Sequence, residues 1–344
     1  MNYRTLGRTG VQVSTQCLGA MMFGAVGNRD PELSEKMVHR ALDAGINFID
    51  TADVYSKGES EEIVGRALRG RRDEVVLATK VFNPMGEDRN QRGGSRRWIM
   101  RGVEDSLRRL ETDWIDLYQL HRHDMTADIE DTLGALTDLV HQGKVRYIGS
   151  STFPAEWIVE AQLASERRRL ERLACEQPQY SIFARSVEAS VLPTCQRHSM
   201  AVIPWSPLAG GWLTGKYRRD EPAPKGSRYS RGWPGMTPMS DEEWAAIAEA
   251  RYRLVEGLDA IATAAGISLT QLALGFVQAH PAITATIIGP KTMEQLDELL
   301  AAADVTLDAG TLDAIDDLVP PGTDVPGTDH YLREGWQQKG NRRR

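Results

Sequence analysis

Four ionisable side chains stand where short apolar runs come to an end. Asp50 closes the run 46–50, Lys80 the run 74–80 and His121 the run 114–121, and Tyr55 follows Asp50 by five residues. Brought together, these four types can move a proton. A free tyrosine has a pKa near ~10 and is a poor acid at neutral pH. A nearby ammonium favours the phenolate, so Lys80 would make Tyr55 a better donor. Asp50 would hold Lys80 in place and keep it charged on burial, and His121 would donate a hydrogen bond to a carbonyl oxygen. Such a set suits protonation of an oxyanion as it forms, and it suggests carbonyl reduction with hydride from a cofactor. Singly, each residue has a plainer reading: a turn cap for Asp50, a solvated cation for Lys80, a core histidine for His121, loop packing for Tyr55. Three consecutive runs ending in Asp, Lys and His, with a Tyr close by, set the group apart. Asp53, equally prominent, is read as a turn or loop residue outside the chemistry.

The elements that must position these groups are eight apolar runs: 16–20, 46–50, 74–80, 114–121, 145–151, 173–177, 200–205 and 283–289. Helix-like segments alternate with them at 32–43, 60–69, 98–110, 128–142, 155–170, 187–198, from 241 onward and at 292–303. Within 128–142 the stripe Ile129, Leu133, Leu136, Val140 has helical spacing and ends at Gly143. Most of the runs are continuously apolar, as strands buried on both faces of a parallel sheet are. Eight such units predict an α/β fold, a (β/α)8 TIM barrel with long βα loops at the C-terminal mouth, where successive strand ends are neighbours around one rim. An open doubly wound sheet is the alternative. The segments 3–6 and 11–14 flank Gly7-Arg8-Thr9-Gly10 and predict an N-terminal β-hairpin. The whole of 1–344 is read as one barrel domain, with the hairpin in 1–15, a cofactor and substrate loop at 206–240 and a C-terminal tail at 320–344.

Composition narrows the classes. A 41% apolar fraction over 344 residues supports a sizeable core, and a net charge of −7 argues against a nucleic-acid binder. The N-terminus lacks the apolar core of a secretory signal, and no apolar run nears the ~20 residues that cross a bilayer, so a cytoplasmic protein with no membrane partner is expected. Cys17, Cys175 and Cys195 have no metal-ligand spacing and read as buried free thiols. No metal site is expected, and the Arg342-Arg343-Arg344 end reads as a solvated tail.

Two clusters point to a nucleotide. Gly289, Lys291, Thr292 and Gln295 follow the last run, with Thr292 and Gln295 spaced as a capping box. A helix start beside a glycine and a lysine suits an anion, though an ordinary capped helix has the same appearance. The stretch 205–217 is glycine-rich, and Gly210, Gly215 and Lys216 have Walker A spacing. Tyr217, however, replaces the Mg²⁺-binding Ser/Thr. No Gly-x-Gly-x-x-Gly occurs, which removes the Rossmann route to a dinucleotide.

With these residues in view, the chain resembles an aldo-keto reductase over nearly its full length. The resemblance rests on Phe48-Ile49-Asp50-Thr51-Ala52 with Tyr55, Ala78-Thr79-Lys80 and Leu117-Tyr118-Gln119-Leu120-His121. It continues through Tyr147-Ile148-Gly149-Ser150-Ser151, Trp205-Ser206-Pro207-Leu208 and Ile287-Ile288-Gly289-Pro290-Lys291. The family's catalytic tetrad falls on Asp50, Tyr55, Lys80 and His121. The resemblance implies NAD(P)H bound in extended form without a Rossmann domain. Ser151 and Gln177 would hold the nicotinamide carboxamide, Trp205 would stack on its ring, and Gly19, Ala20 and Met21 would touch the nicotinamide ribose and ring. Ser206, Leu208, Gly210 and Lys216 would span the pyrophosphate, and Gly289, Lys291, Gln295 and Glu298 would meet the adenosine end. Lys291 suggests a 2′-phosphate, hence NADPH over NADH. Thr152 and Leu299 stand where the family often has asparagine. Trp205 and the long 206–240 loop resemble the branch of potassium-channel β subunits and related bacterial reductases. A nucleotide-binding regulatory subunit with slow turnover is therefore the competing reading, with a purely structural barrel third. Specificity for a small carbonyl substrate is expected from the loops 81–97 and 217–240 (Tyr229, Trp233) and the tail 320–336. Met22, Phe23 and Trp98 would form an apolar wall. The substrate itself and any homo-oligomer are left open.

Overall fold

The computed structural model describes residues 1–219, 221–227, 229 and 241–328. Trp233, most of the 217–240 loop's second half, and the tail from 329 including Trp336 and Arg342 to Arg344 lie outside the described residues. Chain contacts resolve into two compact units. The first comprises 1–178, 191–205 and 282–303, and the second 179–190, 206–281 and 304–344.

The first unit holds every strand among the described residues. A hairpin pairs β1 (Tyr3–Thr5) with β2 (Gln12–Ser14) antiparallel. Eight parallel strands follow: β3 (Gln16–Gly19), β4 (Phe48–Asp50), β5 (Val76–Val81), β6 (Ile115–Leu120), β7 (Val145–Ser151), β8 (Leu173–Gln177), β9 (Ala201–Val202) and β10 (Thr286–Ile288). Their order, β10-β3-β4-β5-β6-β7-β8-β9, is sequential. The ends of that ladder also meet: Thr284 N–H donates to the Val202 carbonyl at 2.8 Å and Ile287 N–H to the Pro204 carbonyl at 3.0 Å. The sheet thus closes, and the fold is a (β/α)8 barrel. The seventh strand is shorter than the run 200–205 predicts, since Pro204 has no N–H to give to a ladder.

Helices α1 (Pro31–Asp43), α2 (Glu59–Ala67), α3 (Arg96–Leu110), α4 (Ile129–His141), α5 (Ala155–Arg168) and α6 (Val191–Arg197) follow the first six barrel strands. Local chemistry sets their ends. Asp30, Ser95 and Asp128 each cap a first turn with a side-chain oxygen, and Pro31 occupies the first turn of α1, where no N–H is needed. Buried apolar side chains fill the barrel: Cys17, Phe48, Ala78, Leu117, Cys175, Ala201 and Ile287 belong to one cluster. Leu6 and Val13 of the hairpin join it, each stabilising the fold by about 1.5–3 kcal/mol through burial. Gly7 is required there. Its φ is +55°, and an added Cβ would sit 2.9 Å from both the Ala174 carbonyl oxygen and the Ala201 nitrogen. The hairpin therefore seals the N-terminal end of the barrel, which leaves the opposite end for chemistry.

The second unit contains α7 (Asp241–Ala264), α8 (Leu269–Ala279) and α10 (Ala309–Leu318), while α9 (Met293–Ala301) belongs to the first. Arg185 ties the second unit together, bonding Glu188, Asp316 and the Val319 carbonyl. No single described helix is long and apolar enough to cross a membrane.

Candidate active site

Barrel geometry brings the four predicted residues together. Asp50 ends β4, Lys80 lies one residue short of the end of β5, and His121 directly follows β6. Tyr55 opens the tight turn Tyr55–Gly58, whose Ser56 and Lys57 are left-handed. Lys80 is fully buried, and its Nζ donates to Asp50 Oδ2 at 2.5 Å, the Thr51 carbonyl at 2.8 Å and the Tyr55 hydroxyl at 3.3 Å. All three ammonium donors are thereby used. Burial works against the charge, but Asp50 and Tyr55 more than offset it, and the Lys80 ammonium is held above its ordinary range.

Asp50 is fixed from its other side. Its Oδ1 accepts from Gln119 Nε2 at 3.0 Å and from Gln177 Nε2 at 2.8 Å, and Gln177 also donates to Gln119 Oε1 at 3.1 Å. Gln119 is a site residue that the sequence reading missed. The available signal was a buried amide two residues before His121, and hence on the same face of its strand.

His121 meets Asn83, whose Nδ2 stands 3.0 Å from Nδ1. With the amide donating, Nδ1 is the acceptor and the ring proton sits on Nε2. Burial, then the charges of Lys80 and Arg122, hold the imidazole well below its usual pKa. It is a neutral donor at neutral pH. Its ring lies edge-on to Tyr55, with centroids 5.8 Å apart. Asn83 falls in the predicted loop 81–97, but nothing in its sequence context marks it as the residue that sets this tautomer.

Strain collects behind Tyr55. Ser56 (φ +48°) and Lys57 (φ +57°) are left-handed, at a cost of roughly 1–2 kcal/mol each, and Gly58 follows at φ +98°. Ser56 pins this turn: its Oγ donates to the Phe23 carbonyl at 3.0 Å and accepts from Val26 N–H at 3.2 Å. Asp53 lies in the preceding turn, as expected, but it is not a solvated residue. It is 1% exposed, and neither carboxylate oxygen has a partner in full hydrogen-bond geometry. Burial, with Glu61 adding to it, pushes the Asp53 carboxyl well above the usual carboxylate range.

The residues expected at the nicotinamide end also converge. Ser151 and Gln177 are paired in register at the ends of β7 and β8, and Ser151 Oγ donates to the Gln177 carbonyl at 2.9 Å. Trp205 is half-buried against the barrel core, its backbone N–H bonded to the Pro178 carbonyl at 2.9 Å. Gly19 and Ala20 are buried, and Ala20 N–H donates to the Asp50 carbonyl at 2.8 Å, which ties that segment to the tetrad. Met21 and Met22 are partly exposed, Phe23 is fully buried, and Trp98 is 5% exposed in the first turn of α3.

Around α9 the capping is half of what the sequence predicts. Thr292 Oγ1 accepts from Gln295 N–H at 3.3 Å, but Gln295 Oε1 takes the Lys291 N–H at 2.8 Å and not that of Thr292. A complete capping box occurs elsewhere, at Ser268 and Gln271 of α8. Its own N–H and the nearby Thr292 hydroxyl hold the Glu294 carboxyl below the usual value. Around Gly289 an added Cβ would meet nothing within 4 Å. Glu298 is exposed in the same helix, whereas Leu299 points inward at 5% exposure.

In the second unit, the segment from Ser206 (φ +61°) to Lys216 folds on itself. Leu208 precedes a 3₁₀ stretch, Ala209–Thr214, in which Gly210 and Gly211 both have positive φ. The Lys216 side chain crosses Gly211, where a Cβ would come within 2.3 Å of Nζ, and Tyr217 donates its hydroxyl proton to the Gly210 carbonyl at 3.1 Å. No strand leads into a helix here, so the Walker-like spacing is a coincidence of composition. The three cysteines are free and buried, and no cluster of His, Cys, Asp or Glu among the described residues could hold a metal.

The model of the Aldo/keto reductase family matches residues 16–320. An uncharacterized oxidoreductase, YrpG, of Bacillus subtilis (strain 168) is 38% identical over 338 residues, covering 95% of this chain and 98% of that one. A probable voltage-gated potassium channel subunit beta of Oryza sativa subsp. japonica is 36% identical over 311 residues (89% and 92%). A putative subunit of the same name from Schizosaccharomyces pombe (strain 972 / ATCC 24843) is 33% identical over 307 residues (88% of each). Closed barrel, strand-end polar cluster and family match concur, and the chain belongs to the aldo/keto reductase family of oxidoreductases.

Proposed function

We propose that the protein is an NADPH-dependent reductase of aldehydes or ketones in which Tyr55 is the proton donor. The observation that carries this reading is the buried Lys80 ammonium, fully coordinated and bonded to the Tyr55 hydroxyl. As a carbonyl oxygen gains negative charge, His121 donates to it through Nε2–H and Tyr55 gives up its proton. Lys80 then stabilises the phenolate that remains, and Asp50, held by Gln119 and Gln177, keeps Lys80 aimed. Preorganised donors of this kind act where charge develops, with no reorganisation at the moment of reaction.

The residues present fit a nicotinamide cofactor, whose chemistry when bound is to supply the hydride. Gln177 commits its Nε2 to Asp50 and Gln119, which leaves Oε1 as an acceptor, and Ser151 gives its proton to the Gln177 carbonyl. Both therefore offer acceptors suited to the N–H₂ of a carboxamide. Trp205 supplies an aromatic face, and Gly19, Ala20 and Met21 would line the ribose side. Ser206, Leu208, Gly210 and Lys216 would take the pyrophosphate, and Gly289, Lys291, Gln295 and Glu298 the adenosine end. Lys291 favours a 2′-phosphate, and so NADPH over NADH. A panel of aldehydes and ketones with NADPH, followed at 340 nm, tests the proposal, and turnover of at least one is expected.

A second reading has support from the relatives named as potassium channel β subunits. On that reading the protein is a regulatory subunit that binds nucleotide and turns over slowly. Tightly retained nucleotide with no reduction across the panel would favour it over the enzyme.

A further inference from the structure

We infer that Glu176 is a positioning residue: by gripping Ser150 and the Phe153 amide, its carboxylate sets the geometry of Ser151 and Gln177, and nucleotide affinity falls when it takes up a proton. The inference rests on the proposed nicotinamide role of Ser151 and Gln177. It begins with register. Ser150 pairs with Glu176 and Ser151 with Gln177 across β7 and β8. Side chains alternate along a strand, so while Gln177 reaches inward to Asp50, Glu176 points to the other face. There it is fully buried. Its Oε2 accepts the Ser150 hydroxyl at 2.5 Å and its Oε1 the Phe153 N–H at 3.1 Å.

These two bonds span the turn that leaves β7. Thr152, between them, is a non-glycine residue at φ +58° and persists because every side of the turn is tied. Thr152 N–H donates to the Gln177 carbonyl at 3.1 Å, the acceptor that also receives Ser151 Oγ at 2.9 Å. Arg122 donates to the His121 carbonyl at 2.5 Å and lies 3.4 Å from Thr152 Oγ1. The turn thus joins the catalytic side of the site to the nicotinamide side, and Glu176 is the buried carboxylate holding it.

A carboxylate buried this way is costly unless its charge is needed, and its proton affinity reflects the cost. Burial raises the Glu176 pKa to about 7, while Ser150, the Phe153 and Thr152 N–H groups and Arg122 pull it down. The charged and titratable groups around it are Arg122 after β6, Cys195 from α6 and, turned inward on its own strand, Cys175. Burial, then Glu176 itself, raises both thiols, so they stay neutral across the range that matters. Protonation would make Oε2 a donor, deprive the Ser150 hydroxyl of its acceptor and turn the Phe153 bond from charge-assisted to neutral, at roughly half the strength.

The test is nucleotide affinity, read by quenching of tryptophan fluorescence in the full chain between pH 6 and pH 8.5. NADPH and NADH are titrated in parallel, because a 2′-phosphate itself titrates near ~6. For the wild type, Kd for both nucleotides should rise about fivefold from pH 8 to pH 6, with a midpoint near neutrality. Glu176→Gln should give a flat NADH profile, with Kd at every pH near the wild-type value at pH 6, and should leave NADPH only the slope of its own 2′-phosphate. Ser150→Ala removes a donor that stabilises the carboxylate, so it should move the midpoint to higher pH, and it decides the matter if Glu176→Gln does not fold. A Glu176→Gln variant that keeps the wild-type slope, or a Ser150→Ala midpoint that does not move, would overturn the inference while the reductase reading stands. Wild-type protein that binds neither nucleotide at any pH would overturn both.

Discussion

Replacing Lys80 with methionine separates the two jobs that its ammonium performs. The side chain keeps its length and apolar stem, but Asp50, the Thr51 carbonyl and Tyr55 lose a shared donor. A unit charge 3.3 Å from the Tyr55 oxygen stabilises negative charge there by about 5 kcal/mol at an effective dielectric of ~20. The stranded Asp50 takes up a proton in this variant, and the repulsion lost with its charge returns roughly half of that. A net loss of about 2–3 kcal/mol in the transition state is roughly a 30- to 150-fold drop in kcat. Stability falls as well, since removing one partner of a buried ion pair costs about 3–5 kcal/mol. Here the cost should lie toward the lower end, because Asp50 keeps two amide donors and can take up a proton. The double variant Asp50→Asn/Lys80→Met removes both charges and leaves neither unpaired. With no unpaired charge left, though the Thr51 carbonyl still lacks its donor, it should recover much of the lost melting temperature while kcat stays low. The assay is single-turnover oxidation of saturating NADPH by whichever aldehyde the wild type reduces, with a thermal melt for each variant. A Lys80→Met enzyme within threefold of wild-type kcat, or a double variant that regains stability and rate together, would refute the proposal that Lys80 acts on Tyr55.

Three further outcomes are expected. Tyr55→Phe should lower kcat by a factor of about 10³ or more while the NADPH Kd stays within threefold, since the phenyl ring keeps the packing and loses only the proton; steady-state rates and a binding titration check it. Lys291→Ala should weaken NADPH about tenfold and NADH little, the difference being one charge-assisted phosphate contact at a partly exposed site; equal losses would remove the 2′-phosphate contact. Asp53→Asn should stabilise the fold at pH 7.5 and do nothing at pH 3.5. The folded-state pKa of Asp53 lies well above the unfolded value of ~3.9, so the unfolded chain releases that proton first and stability falls as pH rises between the two. Each unit of displacement costs about 1.4 kcal/mol, and a variant with the same melting temperature as wild type at pH 7.5 would show that Asp53 is not buried as a neutral acid.

What was legible in the sequence follows strand ends. Asp50, Lys80 and His121 could be placed on one rim because each closes an apolar run, and the barrel converts sequential runs into neighbours. Tertiary chemistry was less visible. Asn83 sits in an irregular loop, and its role depends on where that loop meets His121 Nδ1, a contact with no local signature. At α9 the spacing of Thr292 and Gln295 was right for a capping box, but the backbone before the helix presents Lys291 N–H to Gln295 instead. Helix α10, Ala-Gly-Thr-Leu-Asp-Ala-Ile-Asp-Asp-Leu, went unread: five of its ten residues are apolar, but only Ile315 is buried among them. Glu176 and Gln177 are adjacent in sequence, but the opposite faces they serve appear only once the strand is paired.

Gln119 shows why the cluster needed closure to be understood. Within an apolar strand, one amide carries no sign of purpose. In the barrel, Asp50, Gln119 and Gln177 come from the second, fourth and sixth strands, and alternate strands contribute side chains to one layer of a barrel interior. The hydrogen bonds joining these three residues are therefore bonds within a layer. Lower layers of the same interior are apolar, with Phe48, Leu117 and Cys175 each two residues earlier on the same strands and on the same face. The switch from carbon to amide and carboxylate takes place in a single step, from 48 to 50, 117 to 119 and 175 to 177. A carboxylate in the apolar layer would have no donors, and one beyond the mouth would be screened by water. At the boundary Asp50 has two amide donors below Lys80 and is 2% exposed, so the charge on Lys80 is kept at the one depth where it can act on Tyr55.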